Sequence, residues 1–550
     1  MTLHPKNEWV IPMETAKVAR AAFPKGNVYM KMRDQLGQFY RDEDFTTLFR
    51  ADCGQSALSP GQLALITLMQ FAEGLTDRQA ADAVRGRLDW KYALGLELTN
   101  SGFDFSVLSE FRERLVAKGR EHQLLDEILK ICQQQGWLKT RGQARTDSTH
   151  VLGAIRQLNR IECCGETLRR VLNDLATVVP SWLSAMVTPD WFDRYGVRFE
   201  QYRLPKTKTQ QQKLATQIGA DGHYLLSLID EDPTMGWLKQ IPSVEILRQV
   251  WVQQYYLCGE KLRWRQQKDL PPNKLLIVSP YDPEVRYRTK RDTNWTGYAV
   301  HLTETCDEDT PNLITHVETT PATTHDGAIT DKIHQDLALK ELLPAEHLMD
   351  TAYVDAQHLV TSKDNYDVEL IGKVPPDSSW QAKAQEGFDI SCFAVDWEAH
   401  SVKCPAGKSS RAWRPRQDDY GNEVVEVRFN RHECAACTNR PQCTRAVKEP
   451  RLLKLRPQKL HEALHTARNN QVTDDWKHRY AKRAGVEGTI SQGKRCFELR
   501  HCRYLGLAKT RLQHIAIAAA MNLTRLVYWW KGSSKSQTRL SRFAALAPST

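Results

Sequence analysis

The sequence lacks an uninterrupted apolar run long enough for a bilayer. Its longest, 514–530, is broken by Asn522, Thr524 and Arg525 and reads as a buried helix. Residues 1–15 carry neither the basic start nor the apolar stretch of a secretion signal. A phosphate-cradling glycine loop is missing too, because Gly493-Lys494 has neither the upstream glycine nor the following Ser or Thr. There is no internal repeat and no low-complexity tract. The 13 cysteines are odd in number and scattered, which argues against a disulfide framework. These absences exclude a membrane channel, a secreted disulfide scaffold, a Walker-type NTPase and a dinucleotide-dependent dehydrogenase. The expected protein is cytoplasmic and reduced, has no membrane partner, and uses any clustered cysteines for metal.

What is present is ordinary in amount and unusual in distribution. With 550 residues, 41% hydrophobic and 26% charged, the chain should hold roughly three to five cored domains. The net charge is +10, yet residues 476–550 alone carry fifteen Lys or Arg against only Glu487 and Glu498. A charge run is usually a solvated face. Here Phe497, Tyr504, Trp529 and Trp530 interleave with the cations, which favours phosphate binding and a nucleic-acid partner.

Residues 1–138 read as helical. Ser59-Pro60-Gly61-Gln62 and Thr76-Asp77-Arg78-Gln79 each open a helix with a capping pattern, and a third helix starts near Ser106. Short helices joined by tight turns fit a helix-turn-helix-like DNA-end-binding domain. A bundle serving only packing or dimerisation fits them equally well. Residues 139–550 read as an α/β domain. It has a strand at 144–151, a helical insertion at about 155–270, and strands at 275–279, 298–305 and 313–319. A helix at 326–342, a strand ending at Asp350 and a helix after Tyr353 follow. A Pro-, Gly-, Trp- and Cys-rich irregular insertion covers about 375–450, and helices resume from His461. In α/β sheets ligands gather at the carboxyl ends of strands, and Asp147 and Asp350 both lie at or near such an end.

The segment from Tyr480 to Lys494 carries the strongest local signal. On a continuous helix Tyr480, Arg483, Glu487 and Lys494 fall within an arc of about 60°. One carboxylate, two cations and a phenol on one stripe suit metal coordination beside a phosphate backbone. This Tyr-x2-Arg-x3-Glu-x6-Lys spacing resembles that around the catalytic glutamate of bacterial insertion-sequence transposases of the DDE type. Thr146-Asp147-Ser148-Thr149 resembles that family's first-aspartate segment, and Met349-Asp350-Thr351-Ala352-Tyr353 its second. Tyr281-Asp282-Pro283-Glu284 with Gly297-Tyr298 resembles the intervening strands, although Ala299 stands where the family often has Lys.

The resemblance implies an RNase H-like core, a catalytic triad of Asp147, Asp350 and Glu487, and DNA contacts from Tyr480, Arg483 and Lys494. It implies metal-dependent cleavage at element ends and strand transfer into target DNA by a nucleoid-associated protein; a homodimer or larger synaptic complex is expected because two ends must be paired before joining. Elementary chemistry agrees with it. Two Mg²⁺ ions ~3.5–4 Å apart, replaceable by Mn²⁺, activate the nucleophile and stabilise the leaving oxygen, and hard cations want carboxylate oxygens. Asp147 would be shared between the ions, with Asp350 and Glu487 on either side. Two other functions use the same features: an RNase H-like nuclease without strand transfer, and a non-catalytic transposase-derived DNA-binding protein. The presence of all three carboxylates argues against the latter. His325, Asp326 and Asp355 read as capping or surface residues. Cys434-x2-Cys437-x5-Cys443 with Cys404 upstream suggests a structural Zn²⁺ site, with His432 as an alternative to Cys404; four reduced thiols are the equally weighted reading.

Overall fold

The structure is a computed structural model that describes residues 2–5, 8–49, 56–259, 261–384, 386–532, 542–543 and 546. Its centre is a six-stranded mixed sheet of β1 (Gln143–Leu152), β2 (Arg286–Lys290), β3 (Thr293–Thr305), β4 (Ile314–Pro321), β5 (Glu346–Met349) and β6 (Glu369–Ile371). β1 pairs antiparallel with β3 on one edge and parallel with β5 on the other, and β6 continues the parallel side. β2 and β4 take successive stretches of the far edge of β3. From Trp295 to Glu304 every residue of β3 is buried, because both faces of the sheet are covered.

The N-terminal region is helical, as its capping patterns imply. Ser59 accepts from the Gln62 backbone at the start of α1 (Pro60–Glu73). Thr76 and Gln79 close a capping box on α2 (Asp77–Gly86). The side chain of Gln62 is used elsewhere, reaching the Leu94 carbonyl. These helices, with α3 (Gln123–Gln134), do not form a separate core. Leu68, Phe71, Phe111 and Leu125 belong to one apolar cluster with Tyr298, Val300 and Val317 of the sheet and with Ile515 and Leu526 near the C-terminus.

The insertion after β1 has its own core. α4 (Arg160–Val178), α5 (Lys208–Glu231) and α6 (Pro242–Gln254) pack around Leu168, Ile218 and Leu247, and end in a hairpin of Tyr255–Cys258 and Lys261–Trp264. The expected strand at 275–279 is absent. The Gln253 side chain binds the Leu275 carbonyl and the Ile277 amide, and Ile277 buries in the insertion core instead of joining a sheet.

The opposite face of the sheet is covered by α7 (Thr330–Leu339) and α8 (Ala356–Tyr366). The segment expected to be irregular is a small β module. Ala394–Asp396 pairs with Ser401–Lys403, and Ala412–Gln417, Glu423–Arg428 and Leu452–Leu455 form a three-stranded sheet. Gly407 and Gly421, at φ +79° and +80°, supply turn conformations that side-chain-bearing residues rarely adopt. Then come α9 (Asp474–Ala481), a 3₁₀ turn at Lys482–Ala484, α10 (Gly485–Cys496) and the long, mostly buried α11 (Leu507–Trp530). No helix among the described residues is long and apolar enough to cross a membrane.

Candidate active site

Strand register brings the two aspartates together. Thr146 is opposite Met349 in the parallel β1–β5 pair, so Asp147 and Asp350 occupy the next position on neighbouring strands. Adjacent strands lie about 5 Å apart, and residues in register project to the same face. Asp350 sits just beyond β5; Asp147 sits in the middle of β1, because β1 runs on against β3 after its parallel partner has ended. Burial pushes the Asp147 carboxyl above its usual range. The Ser148 amide and Arg483 pull it down, and Asp350 and Asp326 push it up again.

Glu487 reaches this pair through Arg483. The Arg483 guanidinium lies 3.2 Å from Asp147 Oδ2 and 3.5 Å from Glu487 Oε1, and 5.7 Å from the centre of the Tyr480 ring. Tyr480 stacks on Trp476 at 4.7 Å and 14°. Asp147, Asp350, Tyr480, Arg483 and Glu487 therefore share one neighbourhood. The Glu487 side chain is 66% exposed against 21% for Asp147, so the site has a protected wall and an open one. The expected continuous helix is interrupted by the 3₁₀ turn at 482–484, which changes the phase of Tyr480 relative to Glu487 without taking it off the site.

A buried ionic cluster fixes α10 against β1. Glu304 of β3 is fully buried between Arg145 and Arg525, 2.7 Å from each, and accepts from Thr489 of α10 at 2.6 Å. Burial alone would raise the Glu304 carboxyl, but Arg525, Arg145 and Thr489 together hold it below the usual range. Arg145 also donates to the Lys482 carbonyl at 2.6 Å. Its guanidinium passes so close to Gly485 that a Cβ there would stand 1.9 Å from it. That contact explains a glycine in the first turn of a helix.

Lys494 lies on the last turn of α10 on the side of His150, and Arg500 donates to Thr149 at 2.8 Å. Arg483 and Arg500 thus contact Asp147 and Thr149 on the odd-numbered face of β1, while Lys494 lies near His150. The rest of the basic tail is less available than its charge implies. Lys477, Arg479, Lys482, Arg503, Lys509, Arg511 and Arg525 each pair with a carboxylate of the chain. Part of the tail's charge, at Arg479, Lys482, Lys509, Arg511 and Arg525, docks it against the rest of the chain.

Sequence reading underrated Asp326. It is 4% exposed, 3.4 Å from both Ser148 Oγ and Lys290 Nζ, on the other side of β1 from Arg483. Beside it Tyr353 and His301 form a buried hydrogen bond at 2.6 Å. Nothing in the local pattern His325-Asp326-Gly327 distinguishes this from an ordinary cap; its meaning comes from β1 lying across the sheet.

Two further groups contain metal-ligand side chains. His316, Glu318 and Asp336 bring one ligand atom each within 4.8 Å of one another and are able to hold one metal ion. Lys332 contacts both carboxylates there, at 3.1 and 2.7 Å, and Arg511 contacts Glu318, so cationic side chains already neutralise the cluster. Cys404, Cys434, Cys437 and Cys443 all line one narrow cavity in the β module; His432 is exposed and does not. Among the described residues only the His316 group brings three such ligand atoms within 4.8 Å of one another, so neither the triad nor the cysteines are drawn as tightly together.

Residues 403–527 match the family described as Transposase DDE domain, and residues 17–114 match that described as Transposase domain (DUF772). These two matches indicate a transposase family member. Glu487 and the four cysteines fall within the first match, and Asp147 and Asp350 lie between the two. No curated protein and no solved structure matches the chain.

Proposed function

We propose that this chain is a DNA transposase that cuts the ends of a mobile element and joins them to target DNA, with Asp147, Asp350 and Glu487 as its metal-holding triad. The observation that carries this reading is the register of β1 and β5. It sets two aspartates side by side at the end of a parallel strand pair, while a separate helix brings a glutamate to the same spot through Arg483. A mixed sheet with carboxylates at this position supports an RNase H-like core.

The donor set fits hard divalent cations such as Mg²⁺ or Mn²⁺. Asp147 is half-buried beside two other aspartates, and all three triad ligands are carboxylates. Two such ions, when bound, supply an activated nucleophile and a stabilised leaving oxygen. The chain's own residues do the positioning. Arg483, Lys494 and Arg500 offer cations near β1 for a phosphate backbone, and Tyr480 is braced by its stack on Trp476. Glu304 and its two arginines hold α10 at a fixed height over β1. The partners are the element's ends and a target duplex, and pairing two ends requires a dimer or larger assembly.

The test uses the DNA flanking the gene. Terminal inverted repeats from that DNA, incubated with the protein and Mg²⁺, should give both nicked ends and products joined to a second duplex. Nicks without joined products would reduce the activity to that of a nuclease. No metal-dependent cleavage of any end would overturn the reading.

A further inference from the structure

We infer that Cys404, Cys434, Cys437 and Cys443 form a closed structural zinc site that completes the fold of the β module between β6 and α9. The inference rests on the module's geometry and is independent of the transposase reading.

Four thiols separated by up to 39 positions converge on one cavity of about 40 Å³. Each arrives on a tight structure of its own. Cys404 opens a turn in which its carbonyl accepts from Gly407, while its amide donates to the Lys408 carbonyl. Cys434 and Cys437 straddle the end of the short helix Arg431–Ala435, and Cys443 closes the helix Arg440–Cys443. None of the four is in a disulfide. The cavity chooses between the alternatives that spacing left open: Cys404 lines it, and His432 does not.

The module also needs such a centre. Its apolar core comprises six buried residues, Phe393, Val402, Val427, Phe429, Leu453 and Leu455, with Cys404, Cys434 and Cys443 packed against them. So few buried side chains offset little of the cost of ordering a segment this long, a deficit that small domains commonly meet with a metal. The surroundings suit an anionic centre. Four thiolates around Zn²⁺ carry a net charge of −2, each thiol having released its proton on binding. Arg440, Arg451 and Lys408 line the same cavity, against one acid, Glu433. Arg440 and Arg451 are held there by the carbonyls of Cys434 and Cys443.

A tetrahedral site with ~2.3 Å bonds sets the sulfurs roughly 3.8 Å apart. No three of the four sulfurs lie within 4.8 Å of one another in this structure, so zinc binding would draw them closer together. With four protein sulfurs there is no open position, which separates this metal from any chemistry on DNA.

The test is metal analysis of the full chain after washing with a chelator. One zinc per chain is expected, and Co²⁺ exchanged into the site should show the visible absorption of tetrahedral thiolate coordination. Cys434→Ser and Cys443→Ser should lower the zinc content at least tenfold. Cys392→Ser, in the same module but outside the cavity, and Asp147→Ala should leave it unchanged. If the serine variants are insoluble, an organomercurial titration of the wild-type chain replaces them, with zinc released in step with four thiols. Less than half a zinc per chain, two disulfides among the four cysteines, or zinc retained after all four thiols are blocked would overturn the inference.

Discussion

Asp147 is walled in by β3, α10 and Arg483, whereas Glu487 stands open to solvent, yet loss of either should have the same catalytic result. Asp147→Ala, Asp350→Ala and Glu487→Ala should each abolish Mg²⁺-dependent cleavage while leaving end binding largely intact. Carboxylates that act as one unit lose about as much singly as together. Gel-shift and cleavage assays on the same preparations decide this, and residual cutting by any of the three would remove that residue from the triad. Arg483→Ala and Lys494→Ala should each flatten the log–log salt dependence of binding by roughly one unit. Superimposed salt titrations would show that neither touches phosphate. At this scale the sequence spacing anticipated that Tyr480, Arg483 and Glu487 lie close together. It was silent where a partner comes from far along the chain. Arg500 against Thr149, Asp326 beside Ser148, and the distant carboxylates that pair with Arg479, Lys482, Lys509, Arg511 and Arg525 are all products of tertiary approach.

At the scale of the element, two glycines of α10 make a controlled comparison. Gly488 has open space where a Cβ would go, while at Gly485 that position is filled by the Arg145 guanidinium. Gly488→Ala should stabilise the chain by up to about 1 kcal/mol, the usual helix preference for alanine. Gly485→Ala should destabilise it by about 3 kcal/mol, since it pushes Arg145 off a buried carboxylate. Urea unfolding of both variants gives the two signs; a stabilising Gly485→Ala would mean that the guanidinium has another place to go. The helices of this protein were readable because caps and apolar spacing are local, as at Thr76–Gln79. The β module was not, because strands of three to six residues between turns carry too short an alternation to register. The apolar run at 275–279 misled for the opposite reason: its backbone partner is a glutamine side chain.

For the whole molecule, buried histidines set the response to acid. Burial lowers His301 and His334 to about 4, and His122 and His514 to about 3, while His316 and His347 are also lowered, chiefly by burial. Unfolded histidines take up protons near pH 6.5 that these folded ones refuse, so stability is complete above that pH and falls as pH drops from about 6.5 towards 4. Each group contributes up to about 1.4 kcal/mol per pH unit within its window. The raised Asp147 and Glu127 carboxyls and the raised His358 act in the opposite sense, but they are three groups against six. Urea midpoints at pH 7.5, 6 and 5 should therefore decline steadily, and equal midpoints would mean that the histidines are solvated. The single core joining the N-terminal helices, the sheet and α11 also has a consequence for synthesis. The faces of α1 and α3 that pack on α11 are covered only when residues 507–530 have been translated, nearly 400 positions after α3 begins. At ribosomal speeds of ~5–20 residues per second that is a wait of roughly 20–80 s with apolar faces uncovered. The newborn chain should consequently be a client of ribosome-associated chaperones until its last helix emerges.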